Sequence, residues 1–358
     1  MQTKKWKIRV AILCLCVGVA SACLGKVIYV DADAPGANNG SSWTDAYYYL
    51  QDALMFAVAG DEIRVAQGVY RPDDFVLSDR PGLGRAETFQ LVNGVTLKGG
   101  YAGLGEPDPD ARDIELYETI LSGDLGDNDK GVNNLFDLVF DPNRADNSYH
   151  VVIGSSTDRT AILDGFVITG GNANASVPEI GGNGGGMYNE LGSPTVINCI
   201  FRANSAFWGG GGMSNYRSNP IVTNCIFSTN SAGGFSGGGI CNHKSSPTLT
   251  DCMFIENSAS YGGGLSNSES TATLTNCTFR ENSAFQGGGI FCFEDNLIIT
   301  KSIFVGNSAS YEGGAIYCGE ISNPIVTNCI FNGNSANEGG GIYSYYYSNP
   351  TISELSHF

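Results

Sequence analysis

The sequence predicts an all-β protein, a right-handed parallel β-helix with about 25–27 residues per coil and a short helix capping its N-terminal end. Three observations predict it. One phrase is repeated six times between Ser193 and Gly341, from SPTVINCIFRANSA at Ser193 to SNPIVTNCIFNGNSA at Ser322. Its phenylalanines, Phe201, Phe227, Phe254, Phe279, Phe304 and Phe331, are spaced by 26, 27, 25, 25 and 27 residues, and each has an asparagine three residues later. Within each copy the apolar residues alternate with a period of about 2 rather than 3.6, so the repeating unit is built of strands and bends.

A repeat of this kind cannot bury its apolar face alone and must stack on its neighbours, which turns each repeated position into a ladder along the solenoid. Val196, Cys199 and Phe201 should point inward and Ile197 and Ile200 outward, with a bend at Asn198. Phe201 and its counterparts predict an aromatic stack. Cys199, Cys225, Cys252, Cys277 and Cys329 predict a second inner row in which Ser302 takes the sixth place. Asn204, Asn230, Asn257, Asn282, Asn307 and Asn334 predict an amide ladder at a bend, asparagine tolerating left-handed backbone. The glycine run after each copy predicts another bend with positive φ. Leucine-rich repeats would need several leucines per copy, and calcium-binding nonapeptide rolls would need glycine pairs every nine residues. Crossover handedness selects the right-handed coil.

The FxxN tetrapeptide followed by GGAI at Gly313 and GGGI at Gly237, Gly287 and Gly339 resembles the repeat of chlamydial polymorphic outer membrane proteins. More broadly it is similar to the pectate-lyase-like right-handed β-helix proteins of bacterial surfaces. The resemblance covers about half the chain. It implies a surface or extracellular β-helix, with polysaccharide as the implied class of ligand.

Taken in order, residues 1–22 are a secretory signal. Lys4, Lys5, Lys7 and Arg9 precede the apolar run from Val10 to Ala20, and Ala20-Ser21-Ala22 is a small-residue cleavage site. Cys23 directly after it gives a second reading, a lipid anchor. Residues 23–60 hold a strand at Val27–Val30 and the capping helix. Ser42 with Asp45 marks the helix start, and Tyr47, Leu50, Ala53, Leu54 and Ala57 follow at helical spacing. Such a cap covers the open edge of a solenoid, with Glu62–Ala66 as the first coil strand. Tyr47, Tyr48 and Tyr49 are expected to pack on that coil. Residues 61–185 are irregular coils with acidic loops, their strands expected at Thr88–Leu91, Val95–Lys98, Thr119–Leu121, His150–Ile153 and Ala161–Thr169. Residues 186–358 are the regular repeats. A seventh copy starts at Ser348 and departs at Glu354, which predicts truncation and an exposed upper edge.

Composition narrows the partners. The chain carries 19 basic and 36 acidic residues. Loss of the signal removes 4 of the basic ones and leaves a net charge near −21, which argues against nucleic acid and anionic membranes. No second apolar stretch is long enough to span a bilayer. Of 11 cysteines, eight lie in the repeats, where stacked side chains point in parallel and suit a disulfide poorly, so buried free thiols are expected. The absence of CxxC spacing excludes a zinc site of that type.

Candidates for chemistry are few. Asp124, Asp127 and Asp129 offer closely spaced hard oxygen ligands and make calcium the one cofactor the sequence suggests. The alternative is a solvated loop whose carboxylates cap local N–H groups. The stretch GGNGGG from Gly181 lacks a following helix and is expected to be a coil bend. Arg202, Arg217, Lys244, Arg280 and Lys301 are available bases, and Asp251, Glu256, Asp295 and Glu312 available acids, at different coil positions without an obvious cluster. Glu256 and Glu281 precede the ladder asparagine in adjacent coils and are expected to be solvated. His150 is expected to pack or cap. His243 beside Lys244 is the remaining candidate base, and no catalytic residue is assigned. The expectation is an exported, non-catalytic surface protein serving adhesion or glycan binding, the alternative a pectate-lyase-type enzyme acting on acidic polysaccharide.

Overall fold

The computed structural model describes residues 25–73, 84–131, 134–175, 181–354 and 356–357. The expected signal over 1–22 and the expected anchor residue Cys23 lie outside the described residues. The strands form four sheets of eleven, ten, six and nine strands, called A, B, C and D here in the order the chain visits them. One coil shows the plan: Ile221–Thr223 in sheet A, Ile226–Ser228 in B, Ser231–Ser236 in C and Ile240–His243 in D. Successive coils pair in parallel and in register, Phe227 opposite Phe201 and Phe254, as the repeat spacing requires.

Each corner of that coil turns on one residue with positive φ: Asn224 at 51°, Thr229 at 51°, Gly237 at 67° and Lys244 at 53°. The bend at Asn198 and its counterparts is therefore as expected. The ladder asparagines are not left-handed, however. The residue before each one is, for instance Ala203 and Glu256, because the asparagine itself, fully buried in every coil but the last, must reach along the axis. Asn230 donates from Nδ2 to Phe201 O at 2.9 Å and to Asn257 Oδ1 at 3.0 Å, while its backbone N–H also donates to Asn257 Oδ1 at 3.0 Å. The glycine run likewise divides its duties. Gly210 supplies positive φ, whereas a Cβ on Gly211 would stand 2.4 Å from Ser231 O.

The core runs along the axis. The six phenylalanine rings stack with centroids 4.5–5.1 Å apart, and full burial of each ring from Phe201 to Phe304 contributes about 1.5–3 kcal/mol. All eight repeat cysteines are free thiols. Cys225 Sγ donates to Thr223 O at 3.3 Å and accepts from Cys199 N at 3.4 Å. Ser302 substitutes without loss, accepting from Cys277 N and donating to Thr300 O, both at 3.1 Å. A second amide ladder, not anticipated from the sequence, runs from Asn189 through Asn215, Asn242 and Asn267 to Asp295 Oδ2.

At the N-terminal end, Val27–Val30 pairs with Glu62–Ala66, so the first coil strand lies one layer earlier than expected. The helix is shorter than its periodicity suggested, Leu50–Phe56, with Leu50, Ala53 and Leu54 buried against the core. Ser42 and Asp45 do not start it. They bond each other in a turn, Asp45 N donating to Ser42 Oγ at 3.1 Å, and Tyr49 is still extended. Four of the strands expected in the irregular region appear at Phe89–Gln90, Thr96–Tyr101, Thr119–Ser122 and Val152–Ile153, while the one expected over Ala161–Thr169 is divided by a corner at Gly165, φ 83°, into Ile162–Asp164 of sheet A and Val167–Thr169 of sheet B.

Candidate functional site

Sheet D carries a cleft of about 460 Å³ across three coils. Strand alternation builds it. Met187, Asn189, Met213, Asn215, Ile240 and Asn242 point inward and are buried, so Tyr188, Glu190, Ser214, Tyr216, Cys241 and His243 line the outer face, joined by Asn183 from the corner below. Small residues at 214 and 241 make the hollow, and rings wall it. Tyr188 stacks on His150 at 5.2 Å and Tyr216 on His243 at 5.6 Å. The Tyr188 hydroxyl donates to Glu190 Oε2 at 3.4 Å.

The charged rim is largely self-neutralised. Lys244 Nζ lies 3.4 Å and His243 Nε2 4.0 Å from Glu269, and Arg217 stands 5.2 Å over the Tyr216 ring. Burial lowers the affinity of His243 for a proton more than Glu269 raises it, so the imidazole is neutral near pH 7. The Cys241 thiol is pushed up to about 12 by burial and is a poor nucleophile. Glu190 is the one carboxylate among the lining residues, so a two-carboxylate hydrolytic pair is not assembled there.

A second groove, about 360 Å³, follows the A/B corner and gathers Glu115, Glu118 and Asp251. Arg202 reaches Glu118 at 3.5 Å. The sequence did not point to this groove because Glu115 and Glu118 come from an excursion outside the repeats.

The remaining candidates are dispersed. Glu256 and Glu281 are exposed corner residues with positive φ. His150 packs, its Nδ1 bonding Gly184 O at 3.0 Å, and burial keeps it neutral. Gly181 to Gly186 lead directly into a sheet D strand with Gly184 at φ 68°, a coil bend. Asp124 accepts from the backbone of Asn128 and Asp129, each at 3.1 Å. Asp127 pairs with Arg71 at 2.8 Å. Asp129 pairs with buried Arg144 at 2.7 Å, and burial raises its pKa despite that partner. Guanidinium groups thus stand where a cation would compete. Among the described residues no group of three or more His, Cys, Asp or Glu is placed to hold a metal ion.

Tyr188, Glu190 and Tyr216 were missed because outward identities change from coil to coil. Aligning the copies on their glycine runs would have put them on one face.

A family model described as a right handed beta helix region matches residues 137–296 and, again, 265–356. No curated protein matches the sequence. Among solved structures, pectate lyase Pel9A superposes with a TM-score of 0.52 at 15% identity, over 92% of this chain and 78% of that one. A rhamnogalacturonan lyase superposes with a TM-score of 0.50 at 13% identity, over 93% and 88%. At such identity the likeness is one of fold.

Proposed function

Because the chain belongs to the right handed beta helix family, we propose that it is a non-catalytic surface or extracellular protein that binds glycan in the sheet D cleft. The observation that carries this reading is the cleft's make-up. Tyrosine rings stand beside a few hydroxyl, carboxylate and imidazole groups, the mixture that suits a sugar's apolar faces and vicinal hydroxyls. The Cys241 thiol, kept protonated by burial, is a poor nucleophile there. The repeat's likeness to chlamydial surface proteins and the signal-like residues 1–22 support export. Among the described residues no helix is long and apolar enough to cross a membrane. Glycan-array screening followed by calorimetry tests the reading. Tyr216→Ala should weaken binding about tenfold, some 1.4 kcal/mol, and no bound glycan should be cleaved.

A second reading is favoured by the A/B groove, which gathers Glu115, Glu118 and Asp251, with Arg202 paired to Glu118. It makes the chain a carbohydrate-active enzyme on acidic polysaccharide. Release of unsaturated or reducing ends from uronate polymers, abolished in Glu118→Gln and retained in Tyr216→Ala, would establish this second reading and remove the first.

A further inference from the structure

Sheet A presents a face unlike the other three. Its residues at the second outward position in successive coils are Thr223, Thr250, Thr275, Thr300, Thr327 and Ser353, an unbroken file of hydroxyls in register. The first outward position holds only threonine and isoleucine, in the order Ile221, Thr248, Thr273, Ile298, Ile325 and Thr351. The side chains between them, Val222, Leu249, Leu274, Ile299 and Val326, are fully buried and hold the strands flat on the core.

A solvent face need not look like this. Lower in the same sheet the equivalent positions are Glu62 and Arg64, then Thr96 and Lys98, tied by ion pairs. On sheet B the outward residues include Arg202, Met253 and Arg280 in no regular order. From Ile221 to Ser353 the sheet A face carries no charge, and charge returns at the corners on either side, at Asp251, Lys301 and Glu354 and at Lys244, Glu269 and Glu294. The hydroxyls of Thr223, Thr250, Thr273, Thr275 and Thr300 have no hydrogen-bond partner among the described residues, whereas Thr327 Oγ1 meets Ser353 Oγ at 3.2 Å.

We propose that this face binds ice. Coils repeat every ~4.8 Å and alternate residues along a strand every ~6.6 Å, so the face offers a rigid grid of hydroxyl and methyl groups. Its dimensions are of the same order as the oxygen repeats on a prism face of hexagonal ice. The hydroxyls occupy lattice oxygen sites, the methyls sit in the gaps between them, and no charged group breaks the ordered layer. Six coils give the grid a length of ~24 Å, enough to engage many lattice sites at once, so that weak contacts add. Glycan fits this face poorly because it has no aromatic ring.

The test is partition of the fluorescently labelled full chain into slowly grown polycrystalline ice, with thermal hysteresis read in parallel. The protein should concentrate in the ice several-fold over a labelled albumin control and facet growing crystals. Thr275→Tyr and Thr250→Glu, each raising a bulky or charged group from the grid, should fall to the control level with an unchanged circular dichroism spectrum. Thr278→Tyr, on sheet B of the same coil, should behave as the unsubstituted chain. Exclusion from ice at the control level, or equal inclusion of Thr275→Tyr, overturns the proposal. So does dimerisation, or binding to crystalline cellulose, that Thr275→Tyr abolishes, since the face then has another occupant.

Discussion

At the scale of single residues, Asp295 shows how a repeat absorbs a substitution. It stands where other coils have Ser218, Ser245, Ser270 and Ser322, and Cys292 stands where the next ladder asparagine belongs. Its Oδ2 accepts, at 2.8 Å, the hydrogen bond that Asn267 Nδ2 would have given that asparagine, and its Oδ1 accepts from Leu297 N at 3.0 Å. Burial, opposed by those bonds, raises its pKa from 3.8 to about 6. The folded state therefore holds the proton more tightly than the unfolded chain. This stabilisation is fully present below pH 3.8 and is lost as pH rises through about 6, an effect on the order of 2–3 kcal/mol. Denaturant midpoints measured from pH 3.5 to 7.5 should show this loss in the unsubstituted protein and a correspondingly flatter profile in Asp295→Asn. Parallel profiles would count against the assignment. Such detail was illegible in the sequence, where Asp295 is one acid among 36 acidic residues. Its protonation is set by neighbours 28 and 2 positions away, Asn267 and Leu297.

At the scale of the element, the unit is a short strand between two corners. The inward alternation of Val196, Cys199 and Phe201 was readable because burial demands the same residue type in every coil. The corners were only partly readable. Asn198 and Gly210 advertise positive φ, but Ala203, Thr229 and Glu256 adopt it too, held there by the asparagine that follows. The helix start failed for a related reason: Ser42 and Asp45 satisfy each other locally before any helix begins. Glycine at the second place of each run is a steric requirement. A Cβ on Gly238 would lie 2.5 Å from Gly263 O and 2.6 Å from Ser258 O. Gly238→Ala should therefore pry two coils apart and destabilise the protein by about 3 kcal/mol or more, visible as a melting temperature lowered by several degrees. An unchanged melting curve would show that the corner can shift.

At the scale of the whole molecule, stability is distributed along one dimension, since each coil touches mainly the coils above and below. Hydrogen exchange should report this. Phe254→Ala, which opens a cavity at a fully buried ring between two others, should accelerate exchange in coils on both sides. Phe331→Ala, at a ring only partly buried, should accelerate it only in the layers nearby. Uniform acceleration across the chain by both variants would contradict a one-dimensional energy landscape. The same geometry explains why the fold was legible and the cleft was not. Scaffold positions recur with the period of the coil. Tyr188, Glu190, Tyr216 and His243 belong to a surface that combines three coils, and no two of those coils present the same pair of outward residues.

The four-cornered coil has one further consequence. Within the regular repeats each coil presents the same backbone donors and acceptors, the same phenylalanine and the same ladder asparagine to its neighbour as the coil below presented to it. A duplication or deletion spanning one whole regular repeat therefore leaves the phenylalanine stack and the Asn204-to-Asn334 ladder continuous across the new junction. Copy number is free to drift in the gene while the cross-section stays fixed, so homologues should differ in length by multiples of one repeat and only rarely within it.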